Sequence, residues 1–243
     1  MMCRQWKRLL SFVLAMVMVV GMIPAMGSSA MAAPGGSSMD PVICDTFAEF
    51  KAAMEDPSVI YVTLLPTDEI IPQLGEGSPV PAITVAGEKD LYLAQGVAQF
   101  SARSPGGVYD CLLQVNAGSS LSIDGEGDLS FMAVGTEKHN AVIYNNGGDV
   151  RIYDGHVTGE HKPTSATYST AIWQDSGTLT IQDGYFSSMD GTINKVGSKE
   201  TCAVYLAGGS THILGGRFWV DEKKDPEAKP YGLYIEEAAE VGT

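Results

Sequence analysis

The chain has 243 residues and is acidic, with 29 Asp and Glu against 15 Lys and Arg and a net charge of −14. A surface of this sign repels nucleic acid and anionic lipid, which argues against both classes of partner. It is compatible with a solvated extracellular surface or with divalent cations.

The first 32 residues have the organisation of an export signal. Residues 1–8 carry three basic side chains, residues 9–23 form a largely apolar run, and Ala30-Met31-Ala32 provides the small residues of a cleavage site. The run is shorter than the ~20 apolar residues that a membrane-spanning helix needs. We therefore expect signal peptide 1–32 to be removed. The mature chain, with 12 basic and 29 acidic residues and a net charge of −17, is then secreted, extracellular or cell-wall-associated, without a transmembrane segment.

A lead-in and one helix follow. Segment 33–44 is rich in Pro, Gly and Ser and predicts a flexible lead-in. Residues 45–57 predict a short helix, which Asp45 or Thr46 can cap. Three apolar residues share one face of that helix: Phe47, Phe50 and Met54. Such a helix can lie across the open end of a solenoid core and cover its apolar surface.

Three later stretches are copies of one another, and they span 145–155, 174–184 and 206–216. Each copy keeps a Gly, an Ile four residues later and a Gly three beyond that. The first glycines, Gly148, Gly177 and Gly209, stand 29 and 32 residues apart. This spacing predicts one coil of a stacked solenoid, which we expect to extend over 58–243.

Each coil contains two predictable strands separated by a Gly-rich corner. The first strand is centred on 142–144 and its counterparts, and the second on 150–152 and its counterparts. Strand alternation places Leu179 and Ile181 inward and Thr180 outward. The third sides are more variable, and segments 160–168 and 223–229 are predicted as protruding loops.

The capping helix, the early run 59–64 and repeats such as 177–184 together resemble the right-handed parallel β-helix, or pectin-lyase-like, superfamily. More narrowly, they are similar to secreted surface proteins of Gram-positive gut bacteria. The resemblance covers residues 45–243. It implies an all-β solenoid with three parallel strands per coil around a narrow core. Ile152, Ile181 and Ile213 would then form one internal column.

Many members of that superfamily are polysaccharide lyases or hydrolases. The polygalacturonase-like motifs Asn-Thr-Asp, Asp-Asp and Arg-Ile-Lys are absent from this sequence. The nearest fragment begins at Arg151, whose counterparts in the other copies are Thr180 and His212, so Arg151 is predicted as a solvated strand residue. No catalytic residue is assigned. A polysaccharide lyase or glycoside hydrolase remains the alternative, with acidic groups converging from separate coils.

Recurring acids suggest a metal hypothesis. Asp124, Asp154 and Asp183 each precede a Gly, and stacked carboxylates would offer oxygen ligands to calcium. Asp-Gly is also a preferred tight-turn sequence. In the third copy Gly215 replaces the Asp, which preserves a turn and removes a ligand. The turn interpretation is favoured, and no cofactor is predicted.

Three cysteines remain after signal cleavage: Cys44, Cys111 and Cys202. Cys111 and Cys202 occupy nearly the same position in coils three apart, which separates them by ~14 Å, too far for a disulfide. We expect small buried residues, and a pairing of Cys44 with Cys111 stays open.

Four aromatic residues occupy the same position in successive coils: Tyr144, Trp173, Tyr205 and Tyr234. They are spaced 29, 32 and 29 residues apart, which predicts a column of rings about 5 Å apart. Alternation against the aliphatic Ile143 and Ile172 sends the column outward, where it would form a strip on which sugar rings stack. The alternative is that the column packs under a loop or in the core.

These features predict a secreted, cell-envelope-associated binding or adhesion module for an extracellular glycan on a host or cell-wall surface. The alternatives are the polysaccharide-degrading enzyme and a structural stalk of a larger surface protein. Because residues 239–243 stop within a coil, we expect a longer natural protein or end-to-end self-association through the open end.

Overall fold

A computed structural model describes Ser38 and residues 40–72, 80–102, 109–133, 141–161, 170–190, 200–220, 229–236 and 240–242. Within these residues the chain is a parallel β-solenoid with one short helix near its N-terminal end, as predicted. The predicted signal peptide lies outside the described residues.

The described strands form two sheets, numbered here in chain order. The larger sheet has 12 strands: β1 (Val42–Cys44), β2 (Tyr61–Leu64), β4 (Val80–Val85), β5 (Glu88–Leu93), β7 (Tyr109–Asn116), β8 (Ser120–Gly125), β10 (Ala141–Ile152), β12 (Thr170–Ile181), β14 (Glu200–Leu206), β15 (Ser210–Ile213), β17 (Lys229–Ile235) and β18 (Glu240–Gly242). The smaller sheet has six strands: β3 (Thr67–Ile70), β6 (Val97–Ala102), β9 (Asp128–Ala133), β11 (His156–His161), β13 (Tyr185–Asp190) and β16 (Arg217–Val220).

The repeat copies stack in the predicted register. Ile152 pairs with Ile123 on one side and Ile181 on the other, and Ile181 pairs with Ile213. These residues pack in the main core, so the internal isoleucine column is confirmed. Leu179 is buried as well, whereas Thr180 is partly exposed, as strand alternation requires.

The third side of each coil is a strand of the smaller sheet. Its inward residues, such as Val157, Phe186 and Phe218, pack in the core. The loop prediction is wrong where Glu160 and His161 continue β11 and where Lys229 begins β17. Glu160 is aligned with strand residues in both neighbouring coils, so backbone pairing continues regardless of the varied side chains. Segments 162–168 and 223–228 lie outside the described residues.

The corner between the first two strands of a coil holds a buried polar network. The side-chain nitrogen of Asn145 donates to Gln174 Oε1 at 2.8 Å and to the Thr178 carbonyl at 2.9 Å. Asn145 Oδ1 accepts from the Gly148 amide at 2.9 Å. Both side chains are fully buried, so they satisfy backbone groups where the chain turns inside the core.

The Asp-Gly sequences form turns. Gly125, Gly155 and Gly184 have positive φ angles of 118°, 107° and 120°. In each case the Asp carboxylate accepts a hydrogen bond from the following Gly amide, at 2.8, 2.7 and 2.8 Å. The turn interpretation is therefore confirmed. The described residues contain no group of three or more side chains arranged to hold a metal ion.

Helix α1 (Phe47–Glu55) packs on the end of the core. Of the two candidate caps, Thr46 is the N-cap, and its side chain accepts from the Glu49 amide at 3.3 Å. Phe50 stacks on Phe100 of β6 with ring centroids 5.7 Å apart, and Phe47 meets the same ring edge-on at 5.6 Å. The helix thus covers apolar surface, as predicted.

The predicted lead-in, segment 33–44, ends in a strand. Its last three residues form β1, which pairs in parallel with Val62–Leu64 of β2. Cys44 is fully buried in the core, and this burial together with the backbone pairing offsets the entropy lost in ordering the segment.

A buried lysine joins the end of the helix to the next coil. Lys89 is fully buried, and its ammonium group donates to the carbonyl oxygens of Asp56 at 2.8 Å, Val59 at 2.6 Å and Ala86 at 2.6 Å. Burial lowers the pKa of Lys89. The side chain therefore points inward, away from the outer face of β5.

Cys44, Cys111 and Cys202 are buried and free, so Cys44 and Cys111 are not joined. Burial raises the pKa of the Cys44 thiol to about 12 and that of Cys111 well above its usual value.

In the part of the chain that the structure describes, no helix is long and apolar enough to cross a bilayer.

Candidate functional site

The four aromatic residues of the predicted column lie in one row of neighbouring strands. Strand pairing aligns Tyr144 with Trp173, Trp173 with Tyr205, and Tyr205 with Tyr234. The ring centroids of Trp173 and Tyr205 are 4.1 Å apart, and those of Tyr205 and Tyr234 are 5.0 Å apart. The aromatic column (Tyr144, Trp173, Tyr205 and Tyr234) is therefore in the predicted register.

The aromatic column lies outside the main core but is largely covered. It belongs to a separate apolar cluster that includes Cys111 and Cys202, whereas Ile172 packs in the main core. Trp173 is only 6% exposed and Tyr205 only 4%. Because these two rings are buried and stack on each other, they offer little open face to a sugar ring. The sugar-binding role of the column stays a prediction.

Two tyrosine hydroxyls of the column, those of Tyr144 and Tyr205, are bonded to acids of the following coil. Tyr144 donates to Asp175 Oδ2 at 3.5 Å, and Tyr205 donates to Glu236. Each acid stands two positions after the aromatic residue of its own coil. Burial, and then the charge of Asp175, raise the pKa of Tyr144 to about 12.

A second aromatic surface lies on the outer face of β2, β5 and β8 and continues to Tyr153, the residue after β10. It is a groove of about 560 Å³ whose polar and aromatic lining includes Tyr61, Tyr92, Tyr153, Asp90, Asp124 and Ser122. We call it the tyrosine groove. Tyr92 is 49% exposed and Tyr153 is 39% exposed, so both rings are accessible from solvent.

The spacing of these tyrosines differs from that of the column. Tyr92 pairs with Asp124, and Tyr153 follows Ile152, which pairs with Ile123 beside Asp124. Tyr92 and Tyr153 therefore stand on alternate coils, ~10 Å apart at ~4.8 Å per strand, with a carboxylate between them. At that separation the two rings do not stack on each other, and their faces remain open to a ligand.

Tyr61 and Asp90 extend the groove along the neighbouring row. They pair directly, and Asp90 pairs in turn with Ser122. The groove thus combines apolar ring faces with hydroxyl and carboxylate groups on a rigid parallel sheet. Open rings beside a few polar groups are typical of small-ligand sites.

Sequence reasoning missed the tyrosine groove. Most of its residues come from the early coils, whose copies are looser than 145–155, 174–184 and 206–216. Tyr153 does belong to a close copy, but its counterparts are Gln182 and Leu214, so no repeated aromatic position appears. A local signal was present: Tyr92 lies between the inward Leu91 and Leu93, and Tyr153 follows the inward Ile152. Alternation alone sends both tyrosines outward.

A cluster of polar side chains lies on the outer face of the smaller sheet. Ser187 donates to Thr158 Oγ1 at 3.0 Å, and Thr158 donates to Asp128 Oδ2 at 3.2 Å. Gln99 and Ser130 each donate to Glu160 at 3.4 Å. Burial raises the pKa of Asp128, although Thr158 and the charge of His156 oppose this effect.

Comparison with known proteins does not extend these observations. No protein-family model matches the chain, and no curated protein or solved structure matches it. A function for the chain is therefore inferred from its sequence and from the geometry of the solenoid.

Proposed function

We propose that the chain is a secreted carbohydrate-binding module and that the tyrosine groove is its glycan site. The observation that carries the proposal is the pair of exposed rings, Tyr92 and Tyr153, on either side of Asp124. The C–H faces of a sugar stack on such rings. Its hydroxyl groups donate to the carboxylates of Asp90 and Asp124, which accept hydrogen bonds only.

The proposal includes an extracellular or cell-wall location and a role in adhesion to host or cell-wall glycans. Export signal 1–32 and the acidic composition support it. The parallel solenoid supports the proposed membership of the right-handed, pectin-lyase-like β-helix superfamily and kinship with surface proteins of Gram-positive gut bacteria. Within the aromatic column, the proposed glycan contacts are confined to the partly exposed Tyr144 and Tyr234.

The test measures retention of the purified mature chain on plant, mucin and microbial glycans, followed by calorimetry on those that retain it. Tyr92→Ala and Tyr153→Ala should each weaken binding by about 1–2 kcal/mol through lost stacking, with little change in melting temperature because both side chains are exposed. Leu214→Ala is the control. Leu214 is 67% exposed and follows Ile213, which is the counterpart of Ile152 two coils later. Leu214 therefore occupies the same position in its coil as Tyr153 does, but outside the groove.

Unchanged binding in both tyrosine variants would refute the groove as the glycan site. Lack of retention by every glycan would refute the binding module and favour the structural stalk. The aromatic column has its own arm in the same experiment: Tyr234→Ala should weaken glycan binding if the column takes part.

A second candidate function is hydrolysis of a polysaccharide on the outer face of the smaller sheet. The observation that favours it is the pair of carboxylates on one face of the smaller sheet, with Asp128 on β9 and Glu160 on the neighbouring β11, where burial raises the pKa of Asp128. Glycoside hydrolysis uses one carboxylic acid as proton donor and one carboxylate as base or nucleophile. Asp128 would be the acid and Glu160 the second group.

This second function is tested by assaying the same glycans for new reducing ends. Activity that disappears in Asp128→Asn and in Glu160→Gln, with unchanged melting, would establish it. Glycan retention without any product, in the unmodified protein, would refute it.

A further inference from the structure

The tyrosine groove carries uncompensated negative charge. Two carboxylates line it, those of Asp90 and Asp124, and within the described part of the chain none of its lining side chains is basic. They lie on neighbouring strands, with Asp90 paired with Ser122 and Asp124 with Tyr92. Both acids therefore act on the same short stretch of any bound ligand.

The two nearest basic residues in the sequence are engaged elsewhere. Lys89 precedes Asp90, but its ammonium group is buried on three backbone carbonyls. Arg151 pairs with Ser122 in the sheet, and its guanidinium forms an ion pair with Asp149 at 2.5 Å. Neither cation neutralises the groove carboxylates directly.

The position of one carboxylate is fixed. Asp124 Oδ1 accepts a hydrogen bond of 2.8 Å from the amide of Gly125, the last residue of β8, which has a φ of 118°. This bond holds the carboxylate in the row between Tyr92 and Tyr153. A sugar that spans the two rings must place a substituent near this charge.

Charge complementarity distinguishes three kinds of sugar at such a site. A uronic acid brings a like charge, which costs free energy at short range. A neutral sugar offers hydroxyl donors. A protonated amino sugar offers a charge-assisted N–H donor to a carboxylate, which is the stronger bond.

We propose that the tyrosine groove selects oligosaccharides with free, protonated amino groups over neutral ones, and that it excludes uronic acid chains. This inference rests on the proposed carbohydrate-binding function and names its ligand class. Tyr92 and Tyr153 supply stacking that is common to all sugars, and Asp90 and Asp124 supply the discrimination.

The test compares three probes by calorimetry: a glucosamine tetrasaccharide with free amines, its N-acetylated counterpart and a galacturonic acid tetrasaccharide. The pH is set so that the amines are protonated and the aspartates ionised. We expect the free-amine probe to bind about three- to tenfold tighter than the acetylated one, from one or two exposed ion pairs. We expect no measurable binding of the uronate probe. The preference should shrink between about 50 mM and 500 mM salt.

Asp90→Asn with Asp124→Asn should abolish the preference. The free-amine probe loses its charge-assisted bonds, whereas the hydroxyl groups of the acetylated probe still find an acceptor oxygen on each Asn, so the acetylated probe should lose less affinity than the free-amine probe. Asp68→Asn with Asp183→Asn is the matched control, because it makes the same change in net charge at exposed positions outside the groove. The control should keep the preference. If the groove variant fails to fold, the probe comparison and the salt dependence of the unmodified protein still decide.

Equal affinity for the free-amine and acetylated probes, or tight binding of the uronate probe, would overturn the inference and leave the carbohydrate module standing. Loss of the preference on adding a chelator would overturn direct recognition of the amine in favour of a bridging cation. Glycan binding that involves only residues outside the tyrosine groove would overturn both this inference and the proposed glycan site.

Discussion

The indole ring of Trp173 lies on the phenol ring of Tyr205 in the next coil, with 4.1 Å between centroids and 23° between planes. Both side chains are buried on the outer side of the larger sheet. The same stack that orders the aromatic column covers the ring surface that a sugar would use. Contact between coils and contact with a ligand therefore compete for the same faces.

Trp173→Ala should destabilise the fold by about 3–5 kcal/mol, because it removes a buried aromatic ring and leaves a cavity beside Tyr205. Chemical denaturation measures the loss. The control is Trp219→Ala, which we expect to cost less than about 1 kcal/mol because Trp219 is 44% exposed. In a Trp219→Phe background of chain 33–243, which lacks Trp6, Trp173 fluorescence should resist quenching by acrylamide. Ready quenching with an unchanged melting transition would contradict this role and restore the column as an open strip.

The sequence predicted the order of the residues in the aromatic column but could not predict that Trp173 and Tyr205 are buried. The spacing of 29 and 32 residues between Tyr144, Trp173 and Tyr205 follows from coil length, and their outward direction follows from alternation with Ile172. Burial depends on what packs above the sheet, and the two-residue alternation of side chains along a strand does not predict this packing. The same limit explains why aligned repeats drew attention to the column and away from Tyr92 and Tyr153.

The third side of the coil shows a related limit. Segments 156–161 and 185–190 pair in parallel, yet their outward residues vary from coil to coil. Parallel pairing depends on backbone groups and on inward residues such as Val157 and Phe186. The variable side chains on the outer face of the third side therefore suggested that a loop begins at Glu160. The Asp-Gly turns were predictable because Asp183 and Gly184 form their turn locally.

Asn145→Ala should destabilise the solenoid by about 2–4 kcal/mol. The change removes hydrogen bonds to Gln174, Thr178 and Gly148 and leaves buried polar groups without partners. Asn146→Ala is the matched control: Asn146 is exposed and bonds only another side chain, Asn116, at 3.1 Å among the contacts described. Urea denaturation should show a large fall for the first variant and less than about 1 kcal/mol for the second. Equal effects would mean that the corner does not depend on the buried network.

Tyr144 should make stability fall at alkaline pH. Its pKa is about 12 in the folded chain, raised from 10.0, so the folded state holds the proton more tightly than the unfolded state. The contribution is complete below about pH 10 and is lost as the pH rises toward about 12. The free energy of unfolding should fall more steeply over this range in the unmodified protein than in Tyr144→Phe. Tyr153→Phe, at an exposed tyrosine, should follow the unmodified protein. A Tyr144→Phe curve parallel to that of the unmodified protein would contradict the assignment.

Gly177→Ala tests the close approach of neighbouring coils at the Gly-rich corner. Gly177 has a φ of 83°, and a Cβ there would lie 2.2 Å from the Gly148 carbonyl oxygen. Gly118 has a similar φ of 86°, but a Cβ at that position would meet nothing within 4 Å. Gly118→Ala therefore measures backbone strain alone, which we expect to cost about 1–2 kcal/mol. Gly177→Ala adds a clash with backbone that cannot move without separating two coils, and it should cost more than about 3 kcal/mol.

Thermal and urea unfolding of both variants measure the difference. If the two alanines cost the same, the glycine is required for its dihedral angles alone, and the corner has room for a side chain between coils.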